Sequence, residues 1–202
     1  MYNSTCVCKK NLNNAYFREN VENDDVKNRI LNGYDDVSDR SGKDVKRKFF
    51  SNAINVMNET LPKDEIIRIM DDNACCRSGM RAKNSKNFAN MHKHSNIDER
   101  LEILRQDSLL YMGEANRDGN YIIVKGVNYR VNGQYRCACS AISGVKNEIK
   151  IPNEYCLCCA GHFRYHYEIM LGIKLETEEV ISSSLNKNEP CVFRYKIEGA
   201  QR

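Results

Sequence analysis

The sequence predicts an α+β protein, with an N-terminal helical segment followed by an antiparallel sheet packed with a long helix. Three observations carry that expectation. Apolar residues recur at helical spacing from about 43 to 107. After Gly113 the period switches to alternation, punctuated by Asp118-Gly119 and Asn132-Gly133 as turns. Helical spacing then returns over Tyr155 to Leu171 before two closing strands.

The elements follow in order. Residues 1–42 mix Asn, Asp, Lys and isolated apolar positions without a sustained period, so they read as a polar arm or linker with one short helix around Tyr16 to Ile30. Val45, Phe49, Ala53, Val56 and Met57 recur on one face of a helix over Lys43 to Glu59. Pro62 followed by Asp64 and Glu65 starts a second, because proline tolerates the first turn and acids suit the positive end of the helix dipole. This helix should run to about Cys76, with Ile66, Ile67, Met70 and Ala74 inward. Gly79 interrupts before a third segment from Lys83 to His92 carrying Phe88 and Met91, and Ser95 with Asp98 reads as a capping box for a fourth.

The region 43–115 is therefore a helical segment, and 116–202 an α+β domain. Tyr121 to Lys125, Val127 to Val131 and Tyr135 to Ser140 read as strands. The helix Tyr155 to Leu171 has Gly172 as a fitting C-cap, and Lys174 to Ser184 and Cys191 to Ile197 close the chain as a hairpin.

Composition narrows the class. With 202 residues, 41% hydrophobic, 29% charged, no Trp and 3 Pro, collagenous, fibrous and Pro/Gly-disordered proteins are excluded. Ten cysteines are about 5% of the chain, below the roughly 8 to 10% of a secreted disulfide scaffold. The start MYNSTCVCKK lacks the apolar core of a signal peptide, and no apolar run approaches the roughly 18 residues that span a bilayer. The expectation is a cytoplasmic protein with reduced thiols and no membrane contact; a homodimer is left open.

The balance of 31 Lys+Arg against 27 Asp+Glu gives +4, too little to argue for nucleic acid. The stretch 77–94 is basic, through Arg77, Arg81, Lys83, Lys86 and Lys93, but few aromatics interleave for base stacking. A solvated helix face explains it better than a phosphate-rich partner. No P-loop, GxGxxG, HExxH or GxSxG motif is present, which disfavours a nucleotide-dependent enzyme.

The chemistry points to the cysteines. Eight of the ten form close pairs: Cys6/Cys8, Cys75/Cys76, Cys137/Cys139 and Cys156/Cys158, with Cys159 and Cys191 beside them. Cys137 and Cys139 on a strand would share a face, and a second Cys-x-Cys pair follows about eighteen residues later. That spacing is arithmetically a four-thiolate site for zinc or an iron–sulfur cluster; buried reduced thiols are the competing reading. His162 and His166 share a helix face with Cys159, which allows a metal stripe, a Cys159 nucleophile activated by His162, or simply an exposed face.

The run Tyr155 to Ile197, with Ala160-Gly161 opening the helix, Gly172 ending it and Cys191-Val192-Phe193 in the last strand, resembles the 4-vinyl reductase family of small-molecule-binding domains. The wider pattern, Cys137-Ala138-Cys139 before Tyr155-Cys156-Leu157-Cys158, resembles proteins of anaerobes that carry this domain behind a helical segment. The resemblance implies a fold that encloses an apolar ligand between sheet and helices, and in some members a zinc site of three Cys and one Glu. By position Cys158 or Cys159 would be the first ligand, Glu178 or Glu179 the acid and Cys191 the last. The remaining Cys is replaced within Ser182-Ser183-Ser184 and the hairpin Gly by Asn188, leaving Cys137, Cys139 and Cys156 as substitutes.

The functional expectation is a module that binds a small apolar molecule, with Cys137, Cys139, Cys156, Cys158, Cys159 and Cys191 as candidate ligands of a zinc ion. The alternative is a Cys-dependent enzyme, a hydrolase or thiol-redox protein, using Cys159 or Cys158. An interaction subunit using the basic segment is a third reading.

Overall fold

The structure is a computed structural model that describes residues 17, 19, 21–38, 40–72, 74, 77–106, 113–126, 130–139, 141–143, 149–185 and 189–199. Five helices lead the chain: α1 (Asp24–Ile30), α2 (Lys43–Thr60), α3 (Lys63–Asp72), α4 (Gly79–Met91) and α5 (Ile97–Gln106). Strands β1 (Glu114–Asp118), β2 (Tyr121–Lys125), β3 (Arg130–Val131) and β4 (Gln134–Tyr135) follow, then α6 (Leu157–Leu171) behind a 3₁₀ turn, and finally β5 (Leu175–Ser182) and β6 (Val192–Ile197). The α+β class expected from the sequence is what the chain adopts.

The helical half follows the apolar period with local corrections. On α2, Phe49, Ala53, Val56 and Met57 are buried as expected, and Phe50 and Ile54 join them, whereas Val45 in the first turn is 45% exposed. α3 ends at Asp72, short of Cys76; residues 75 and 76 lie outside the described set, as do Cys6 and Cys8. Helix α4 begins at Gly79, because a glycine near a helix end is a boundary and not an interruption. Of the two apolar residues noted on this segment, Phe88 is buried and Met91 is exposed. The cap of α5 is shifted by one: the Glu99 amide donates to Asn96 Oδ1 at 3.0 Å while the Asn96 amide donates to Glu99 Oε2 at 2.8 Å. The reciprocal capping box is thus Asn96/Glu99, and Ser95 instead offers its carbonyl to Arg100.

The sheet has the order β1-β2-β6-β5, all neighbours antiparallel. β1 escaped the sequence reading because it is an edge strand with only Ala115 buried, so it shows no alternation. Gly119 at φ 56° makes the tight turn into β2, and Asn132 and Gly133, both at positive φ, make the turn between β3 and β4 as their sequence demands. The strand expected over Tyr135 to Ser140 stops at Tyr135, because the chain turns at Cys139, whose carbonyl accepts from Ile142 and Ser143. Of the strand expected over Val127 to Val131, only Arg130–Val131 is described.

Helix α6 occupies the middle layer. Its buried residues run nearly all round: Leu157, Cys158, Ala160, Gly161, His162, Phe163, His166, Tyr167, Met170 and Leu171. A helix apolar on so much of its surface needs partners on several sides. One side lies on the sheet, through β5, the Phe163–Phe193 ring contact and the Tyr195 hydroxyl's bond to the Ala160 carbonyl, and α3 and α4 pack on others. Gly172, in the left-handed conformation, ends the helix. One continuous core joins Phe17 and the α2 residues to Ile197. Among the described residues no helix is long and apolar enough to cross a membrane.

The approach of α3 to α6 is set by Gly161. A Cβ there would stand 2.5 Å from Asp71 Oδ1 and 2.9 Å from the Ala74 Cβ. That Asp71 carboxylate accepts from the Arg164 guanidinium and, at 3.3 Å, from the Thr177 hydroxyl, so it is fixed in place. Arg164 also donates to Glu168 Oε1 at 3.0 Å, and Glu168 accepts from the Leu175 amide at 3.0 Å. One carboxylate therefore links α3, α6 and β5. Gly161→Ala should lower unfolding free energy by about 1 to 3 kcal/mol in denaturant titration, even though alanine in a helix normally gains up to about 1 kcal/mol over glycine. Unchanged or increased stability would contradict this close approach.

Candidate functional site

All six described cysteines are free thiols, and they gather around the start of α6. Cys156 ends the 3₁₀ turn, Cys158 and Cys159 occupy the first turn of α6, Cys137 and Cys139 follow β4, and Cys191 immediately precedes β6. Cys156 and Cys158 are buried, whereas Cys137, Cys139, Cys159 and Cys191 are partly exposed. Three separate stretches of chain thus deliver thiols to one place.

The local backbone explains the delivery. The turn at Cys139 returns the chain toward the core through Ile142 and Ile151, both buried, so the β3–β4 arm is tied down beside α6. Gly126 donates to the Cys191 carbonyl at 2.7 Å, which fixes the entry to β6 beside the end of β2. Cys137 and Cys139 converge with the other thiols from a loop, not from the strand face that their spacing suggested.

Hydroxyl groups surround the sulfurs. Cys139 Sγ lies 3.3 Å from the Tyr155 hydroxyl, Cys156 Sγ 3.0 Å from Ser183 Oγ, and Cys191 Sγ 3.3 Å from Ser184 Oγ. Ser183 and Ser184, which stand where the resemblance places a cysteine, are thus partners of sulfur.

The thiols also sense one another. Burial, followed by the neighbouring Cys139, pushes the Cys137 thiol up to about 12, with Cys159 and Cys191 adding to the rise. Hydrogen bonding with Cys158 and then burial raise Cys159 well above the ordinary thiol range. Cys156 is raised by burial and by Cys159, against a lowering hydrogen bond from Ser183. The Tyr155 hydroxyl is raised by burial and by Cys139. Burial disfavours the charged form of each of these thiols, and a neighbouring sulfur adds to that penalty. Among the described residues, no three or more His, Cys, Asp or Glu side chains already stand as an ion would hold them.

The other residues singled out by sequence lie elsewhere. Glu179 pairs with Arg194 across the sheet at 2.7 Å, and Glu178 lines clefts beside α3. His162 and His166 are buried, at 5% and 0% exposure, and face α4, so an exposed helix face does not account for them. Asn188 lies outside the described residues. A cleft of about 890 Å³ opens on the far side of α6, lined by Asp71, Arg164, Thr177, Arg68, Lys196 and other largely charged side chains. The Asp71–Arg164 centre of that cleft was missed by sequence reasoning, and nothing in the spacing of residues 71, 164 and 177 could have joined them.

No family model matches this chain, and neither curated proteins nor solved structures provide a match.

The thiol environment has a pH signature. A thiol raised in the folded state contributes stability that is complete below its unfolded value, and that stability is lost as pH climbs through the folded value. Metal-free protein should therefore lose stability from about pH 9 toward pH 12, read by thermal unfolding. At pH 8 Cys137 should be thiolate in only about one molecule in ten thousand, so iodoacetamide should label it far more slowly than a free peptide thiol. Rapid labelling of Cys137 at pH 8, mapped by mass spectrometry, would contradict the environment described.

Proposed function

We propose that this protein is a small-molecule-binding module braced by a zinc ion that cysteine thiolates at the start of α6 hold. The observation that carries this reading is the gathering of six thiols from three separate stretches of chain. Soft sulfur donors suit zinc, and a divalent cation beside these thiols would favour the thiolate form that ligation needs. Cys137, Cys139, Cys159 and Cys191 are the proposed ligands, because they are the partly exposed members and Cys137 and Cys159 both feel Cys191 and Cys139. Cys156 and Cys158 stay buried behind them.

Tyr155, Ser184 and Ser183 then act as outer partners whose hydroxyls orient sulfur, the role such groups play around ligating side chains. The ligand class, a small and mostly apolar molecule held between sheet and helices, rests on the resemblance of Tyr155 to Ile197 to the 4-vinyl reductase domains.

The enzyme reading, with Cys159 or Cys158 as nucleophile, draws less support. A nucleophilic cysteine needs its thiolate at neutral pH, and Cys159 is pushed the other way. His162, the base that reading invokes, is engaged instead with Arg81.

Protein purified without added metal should contain close to one zinc per chain by elemental analysis. Cys139→Ser should weaken zinc binding by more than about 100-fold in a chelator competition, and Tyr155→Phe by about 10- to 100-fold. A fully folded, metal-free protein that takes up no zinc would sink the proposal.

A further inference from the structure

We infer that the outer face of α4 is a docking surface for an acidic, amphipathic helix of a partner protein. The face is built by helical period. Met80, Lys83, Asn87 and Met91 follow the i, i+3, i+7, i+11 spacing of one stripe, and all four are exposed. The opposite arc carries Ala82, Ser85 and Phe88, all buried.

The stripe is not polar throughout. Met80 and Met91 are 68% and 72% exposed, the two most exposed large apolar side chains among the described residues. Methionine is flexible and polarizable, which suits it to binding surfaces. Eleven residues of α-helix set these two about 16 Å apart along a straight line. An apolar anchor at each end of a straight, narrow stripe matches a rod laid alongside, the shape of a second helix.

Charge sets the sign of the partner. No Asp or Glu occurs between Arg77 and Ile97. Of the five Lys and Arg in that stretch, Arg77 turns to Asp71 and Arg81 to His162, so both are engaged within the fold. Lys83, Lys86 and Lys93 are exposed. Lys83 stands between the methionines, Lys86 flanks them and Lys93 follows the end of the helix. The nearest acids along the chain belong to other elements: Asp72 ends α3, Asp98 of α5 pairs with Arg117 at 3.3 Å, and the Glu99 carboxylate accepts from the Asn96 amide.

Two other classes of partner fit this face less well. Single-stranded nucleic acid is gripped by cations with aromatic faces between them, and the aromatic ring of α4, Phe88, is buried. An anionic membrane needs a broad apolar face that enters the acyl boundary, whereas the middle of this one is Lys83 and Asn87. A protein helix with acids between two apolar residues answers both the charge and the spacing.

Fluorescence anisotropy on the full chain tests the face. The probe is a synthetic Glu/Ala-rich helical peptide of about 20 residues, with leucines on one stripe at the methionine spacing. The native protein should bind it, and affinity should fall by about tenfold or more between about 50 and 300 mM salt. Lys83→Glu with Lys86→Glu should weaken binding by at least about tenfold, and Met80→Gln with Met91→Gln by about five- to tenfold. In the native protein, added peptide should slow hydrogen exchange of α4 more than that of α2, a reading that needs no variant. No binding, binding that these variants leave unchanged, or protection centred away from α4 would overturn the inference. So would α4-dependent binding of phosphatidylglycerol vesicles, or of a DNA oligonucleotide, in preference to the peptide.

Discussion

The seat of α6 is the constraint on which the rest of the molecule depends. Gly161 lets α3 come close enough for the Asp71 carboxylate to meet Arg164, and the same carboxylate reaches Thr177 on β5. A side chain at 161 would occupy the place of that carboxylate. Because helix propensity alone would favour alanine over glycine inside a helix, the glycine is there for the distance it permits. Once α6 is held at that depth, Phe163 packs on Phe193 with ring centroids 5.5 Å apart, and Tyr195 closes the packing by donating to the Ala160 carbonyl at 2.8 Å.

The position of the thiols follows from the same constraint. The first turn of α6 carries Cys158 and Cys159, and the 3₁₀ turn before it carries Cys156 under Ser183. The β3–β4 arm and the entry to β6 then bring Cys137, Cys139 and Cys191 to that end of the helix. An apolar core would tolerate one or two cysteines as small hydrophobes. Six beside one another, two buried and four partly exposed, with hydroxyls beside three of the sulfurs, form a polar cluster at the edge of the core, and such clusters are costly unless something compensates them. A divalent cation is the compensation proposed.

Much of the fold was legible because its signals are local. The period of α2, the acids opening α3, the Asn132-Gly133 turn and the Gly172 cap each lie within a few residues of what they specify. What escaped lacked a local signal. β1 is polar because it is an edge, and the capping box of α5 needed a choice between Ser95 and Asn96 that only backbone geometry makes. For the cluster, the close pairs of cysteines marked the residues, but the strand assigned to Cys137 and Cys139 was too long. The burial of His162 and His166 depends on α4 lying across them, and the union of Asp71, Arg164 and Thr177 is wholly tertiary.

The central claim is that sulfur, and not nitrogen or oxygen, holds a metal at the start of α6. X-ray absorption at the zinc edge on protein as purified tests it most directly. The account predicts a first shell of sulfur scatterers at about 2.3 Å. A first shell made only of nitrogen and oxygen at about 2.0 to 2.2 Å would contradict it.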